Sequence, residues 1–150
     1  MRFTTDLFTT AVFLSITSLT LTGCKPASKH SIEQWQHAID GAFAANISND
    51  AQLSVVSSIH HGISLWDIKN NALKYTWSQQ QDTADNLVLN IDISDNNSHV
   101  LTASKTNFAL WDVNTGQSKG YWQVRESNIR DIALANDGDA ILIGKSNGTV

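Results

Sequence analysis

The chain has 150 residues, room for one ordinary domain, and only 16% of them are charged. A formal charge of −4 and a pI near 5.6 exclude the basic surface that nucleic-acid binding requires. One cysteine, Cys24, excludes an internal disulfide, and abundant Ser, Thr, Asn and Gln fit an extracytoplasmic β-protein better than a helical one. Met1-Arg2 gives a weakly positive start, and Leu7 to Leu21 is an uncharged run of apolar, Ser and Thr residues. A membrane span needs about 20 apolar residues, so this run reads as a secretory signal and is kept out of the fold.

The run ends Leu21-Thr22-Gly23-Cys24, which resembles the box of bacterial lipoproteins: a leucine, two small residues, then the cysteine that is lipidated. The resemblance implies a type II signal peptide over 1–23 and cleavage between Gly23 and Cys24. It also implies a diacylglyceryl thioether on Cys24 and a further acyl chain, such as palmitate, on the new amino group. Two or more chains anchor a protein stably where one binds marginally. In Gram-negative sorting an aspartate after the cysteine favours the inner membrane. Lys25 therefore points to the outer membrane, facing the periplasm. Residues 24–31 are the lipidated cysteine and a polar tether.

After the tether the chain repeats. Trp35 lies 12 residues before Ile47 and Trp122 lies 12 before Leu134, while Trp77 lies 16 before Ile93 across a longer loop. The three indoles therefore hold one structural position. Phe43, Ala45 and Ile47, then Leu87, Leu89, Ile91 and Ile93, then Ile132 and Leu134 each alternate with other residues, the period of a strand with two faces. Turn formers follow each run, at 48–50, 94–97 and 136–138. Second strands follow at 53–58, 99–104 and 140–144. The third strand, Ile63-Ser64-Leu65-Trp66-Asp67, returns as Phe108-Ala109-Leu110-Trp111-Asp112, with the two tryptophans 45 residues apart. Each Asp is placed to hydrogen-bond the turn after it. Asn71 and Gly116, also 45 apart, are of the two types that enter the left-handed region most easily.

A period in the forties with an apolar–x–Leu–Trp–Asp core is a propeller-blade signature, and the chain resembles the WD-repeat β-propeller family. The resemblance implies an all-β fold of four-stranded antiparallel blades. It places an outer closing strand over 32–37, one blade over 42–77, a second over 87–122 and an incomplete third over 129–150. Gly148-Thr149-Val150 would open the next third strand. About two and a half blades are present, and propellers close with about four to eight, so a fragment of a six- to eight-bladed propeller is expected. The competing reading of 31–39 is an amphipathic helix. In many family members a Gly-His, a Ser or Thr, the Trp and a turn Asp build a buried hydrogen-bond network. Here the Gly-His places hold Gln79-Gln80 and Val124-Arg125, and the turns lack the Asp, so the network is expected to be missing.

Little in the chain points to catalysis. His60 and His61 are adjacent and point to opposite sides if extended, and no third ligand lies near in sequence, so no metal is expected. Asn90 and Asp92 sit on an innermost strand and are expected to line a wet central channel. There is no phosphate loop and no nucleophile elbow, and no cofactor or catalytic residue is expected. Loops at one end of the disc carry His60, His61, Lys105, Arg125 and Glu126, a surface suited to a protein or peptide partner. The expected function is a membrane-anchored, non-enzymatic interaction scaffold of the cell envelope. The alternative is a propeller enzyme, a quinoprotein-like dehydrogenase or a hydrolase, with its active residues in a part beyond Val150. Trp66 and Trp111 are expected to be core, with Trp111 the more buried.

Overall fold

Short runs of β-branched and aromatic residues, cut by Asn, Asp, Ser and Gly turns, fold into ten antiparallel strands with no helix among the described residues. The computed structural model describes residues 34–38, 40–59, 61–79, 87–125 and 127–150. Gly23, Cys24, His60 and Glu126 lie outside them, as does most of the longer loop after Trp77.

Sheet 1 holds β1 (Ala42–Ile47), β2 (Leu53–Ser58), β3 (Gly62–Asp67) and β4 (Ala72–Trp77), each beside its sequence neighbour. Sheet 2 repeats that order with β5 (Asn90–Ile93), β6 (His99–Ala103), β7 (Asn107–Asp112) and β8 (Ser118–Gln123). Sheet 3 holds β9 (Ile129–Leu134) and β10 (Ile141–Lys145). Beyond β10 the chain turns at 146–148, and the Lys145 N–H donates to the Thr149 carbonyl at 2.9 Å, but residues 149–150 carry no strand. Registers show the repeat at atomic level. Trp66 opposes Ser54 and Trp111 opposes Val100, and both tryptophans follow a bulge against the fourth strand.

The turns obey the same period. Asn71 and Gly116 have φ of 47° and 72°, and Ala51, Asn97 and Gly138 share one first-to-second-strand position at 57°, 59° and 83°. Gly116 is doubly constrained. A Cβ there would meet the Tyr75 ring at 2.5 Å, and its carbonyl accepts the Trp77 indole N–H at 2.9 Å. The outer strand of sheet 1 thus grips a turn of sheet 2.

The core lies between sheets 1 and 2. Leu53, Val55, Ile63 and Leu65 face Val100, Ala109 and Trp111 across it. Trp77 stacks on Trp111 at 5.1 Å and 11°, a contact worth about 0.5–1.5 kcal/mol beyond the area it buries. The innermost strands are tied by side chains. Asn46 donates to the Ile91 carbonyl at 2.9 Å and to Asp92 at 3.3 Å, and Asp92 accepts the Leu134 N–H at 2.7 Å.

Two sequence expectations change here. Residues 34–38 carry no helix, and the closing strand expected over 32–37 finds no partner among the described strands. A strand needs a ladder partner, and no described strand pairs with them. Instead His37 stacks on Trp66 at 4.3 Å and 7°, and Trp35 stacks on His37 at 6.1 Å and 2°. The alternation over 87–93 also breaks at its start. Val88 is 1% exposed and Leu87 is 36% exposed, because β5 begins only at Asn90 and the Val88 carbonyl takes the Ser57 hydroxyl at 2.8 Å.

Candidate functional site

The Trp-Asp motif is used internally. Asp67 accepts the Asn70 backbone N–H at 3.0 Å, and Asp112 accepts those of Asn114 and Thr115 at 2.9 and 2.8 Å. The Asn70 amide chiefly holds the Asp67 carboxyl below its ordinary pKa, and the Thr115 N–H does so for Asp112. The Ser48 hydroxyl is the main cause of the same shift at Asp50. A carboxyl with a depressed folded pKa stabilises the fold above its unfolded value, and that contribution is lost as pH falls through the folded one. Stability should therefore be flat near neutrality and decline on acidification below about pH 4. Asp67→Asn with Asp112→Asn should flatten that decline. Thermal melts between neutral and acid pH check this, and an unchanged acid slope in the double variant would contradict it.

Between sheets 1 and 2 a buried polar network forms, although the departures at Gln79-Gln80 led none to be expected. The Trp111 indole N–H donates to Thr102 Oγ1 at 2.9 Å, Thr102 donates to Gln79 Oε1 at 2.9 Å, and Gln79 Nε2 donates to the Asn107 carbonyl at 3.0 Å. Gln79 supplies the network with one acceptor and one donor. Sheet 1 has no such network. By register Val56 holds the place of Thr102, and the Trp66 indole nitrogen is buried with no partner. Trp66 is half-buried where Trp111 is 7% exposed.

Asp92 and Asn90, expected to line a channel, lie on β5, an edge strand of sheet 2. One Asp92 carboxylate oxygen takes Asn46 and the Ile93 N–H, and the other takes the Leu134 N–H, so this side chain clips three sheets together. Asn90 is half-buried and paired with Ala103 in the ladder.

The turns at one end gather the charged candidates. The Val124 N–H donates to the Thr106 carbonyl at 2.7 Å and the Ile129 N–H to the Lys105 carbonyl at 2.6 Å. Lys105 and Arg125 thus lie on adjoining segments, both exposed. His61 is exposed in the matching turn of sheet 1, which is one residue longer between Ser58 and Gly62 than between Ser104 and Asn107. His61 lines a cleft of about 280 Å³ together with His37, Ser64 and Thr76. The sequence reading missed His37. The available signal was its spacing: His37 follows Trp35 by two residues, as Gln79 follows Trp77.

Trp122 is 42% exposed, though it holds the position of buried Trp77. Among the described residues it stacks only on Phe108, at 5.0 Å, and Tyr121 beside it is 46% exposed. Among the described residues no three His, Cys, Asp or Glu side chains gather to hold a metal. No protein-family model matches this chain, and no curated protein matches it.

Proposed function

We propose that this chain is a lipid-anchored, non-enzymatic interaction module of the bacterial envelope, built as a WD-repeat-like β-propeller. The observation that carries the reading is how the side chains are divided. The repeated Asp67 and Asp112 are spent on turn hydrogen bonds and Trp77 and Trp111 on inter-sheet stacking, while exposed Lys105, Arg125 and His61 sit on turns. Variable polar turns on a rigid packed scaffold are where binding concentrates. The partner class that suits mixed charge on a turn surface is a protein or peptide. The anchor rests on Leu21-Thr22-Gly23-Cys24, and Lys25 favours the outer membrane.

Two measurements test the reading. In cells fed an alkyne fatty acid, the full chain should carry label and pellet with membranes. Cys24→Ser should lose the label and most of the membrane-bound fraction. Equal labelling of both proteins would remove the anchor from the proposal. A photo-crosslinking residue at position 105 or 125 should give a discrete protein adduct, and one at exposed Lys119 on β8 should not. Indistinguishable patterns from the three positions would remove the turn surface.

A further inference from the structure

We infer that residues 34–38 are a sliding strap with two interchangeable aromatic seats on Trp66, one filled by His37 and the other by Trp35. In sheet 2 the matching ring, Trp111, is covered by Trp77, and Gln79 two residues later sits over Thr102. In sheet 1 the segment repeats this Trp–x–polar spacing, yet His37 covers Trp66 and Trp35 lies one ring further out. The strap is therefore displaced by two residues from the arrangement made by Trp77 and Gln79.

Four features favour the second seat. Trp35 already lies parallel to His37 within 2° and is 43% exposed, so it gains burial by moving inward. A shift of two residues keeps each side chain of an extended segment on the same face. The place His37 would then take, above Val56, adjoins an open groove of about 620 Å³ whose floor includes Ala45 and Val56. Finally, no described strand pairs with 34–38. Two side-chain hydrogen bonds fix the present seat, with His37 Nδ1 3.2 Å from Ser54 Oγ and Nε2 3.2 Å from Asn71 Oδ1. An extended segment advances about 3.3 Å per residue, so moving Trp35 into the place of His37 shifts the strap by roughly 7 Å while Trp66 stays covered.

The test is hydroxyl-radical footprinting of the full chain, read by mass spectrometry at Trp66, with Trp111 as internal control. With two seats, each ring replaces the other. His37→Ala and Trp35→Ala should each raise the Trp66 oxidation rate by less than about twofold, and the double variant by more than about fivefold, a strongly non-additive pair. The Trp111 rate should stay constant. A single seat predicts that His37→Ala alone reaches the double-variant rate, and that result overturns the inference. So does a double variant that oxidises like the wild type, since the strap would then cover nothing. A rise at Trp111 in either single variant overturns it too, because the segment would then support the whole fold rather than one face.

Discussion

Trp111→Ala should lower unfolding stability by about 3–5 kcal/mol, the usual cost of emptying a buried tryptophan site. The indole is 7% exposed, lies against Trp77 at 5.1 Å and donates to Thr102 at 2.9 Å. Its removal leaves a cavity between two sheets and strips Thr102 of a donor. Trp66→Ala should cost distinctly less, although Trp66 holds the same place in the repeat. Trp66 is half-buried, its indole nitrogen has no partner, and its cover is a five-residue strap rather than a neighbouring sheet. Urea denaturation of the full chain with each substitution measures both. Equal midpoint shifts would show that burial between sheets is not what sets the cost. Loss of partner binding by Trp111→Ala at an unchanged midpoint would make the repeated tryptophan a recognition residue rather than core.

Thr102→Val should cost about 2–4 kcal/mol, with almost no change in side-chain volume. Thr102 is 0% exposed and joins the Trp111 N–H to the Gln79 carbonyl oxygen. Valine leaves both groups buried and unpaired, and each such group costs about 1–3 kcal/mol. The lesson is in the second substitution. Adding Gln79→Leu removes one of the two orphaned groups, so the pair should cost less than the sum of the single changes. Denaturation midpoints of the two single variants and the double complete the cycle. Strict additivity would mean that the three side chains do not act as one network.

Much of the fold is legible because packing between repeats imposes a period on the side chains that do the packing. Trp66 and Trp111 recur at 45 residues because each holds the same register place on the third strand of its sheet, and Asn71 and Gly116 recur because each third-to-fourth-strand turn needs a positive φ. The network was not legible by residue identity. Gln79-Gln80 reads as a departure from Gly-His until the Gln79 amide is seen to offer both an acceptor and a donor. The partners of Asp92 were not legible for a related reason. Alternation puts it on a face, but only the neighbouring strands show that Asn46 and Leu134 come within hydrogen-bonding distance there.

By itself the sequence determined the strand class of the chain, the position of its turns, the capping role of Asp67 and Asp112, and which tryptophans are equivalent. These are local or periodic properties, written in residue type and spacing. Tertiary structure alone decided which equivalent residue is buried. Trp77 and Trp122 hold one position, yet Trp77 is 4% exposed and Trp122 42%, because Trp111 covers the first and no described ring but Phe108 lies on the second. It also decided what residues 34–38 lie against: they pair with no described strand, and His37 stacks on Trp66. Strand pairing depends on a partner distant in sequence, whereas an aromatic stack needs only a nearby ring, and Trp66 provides it.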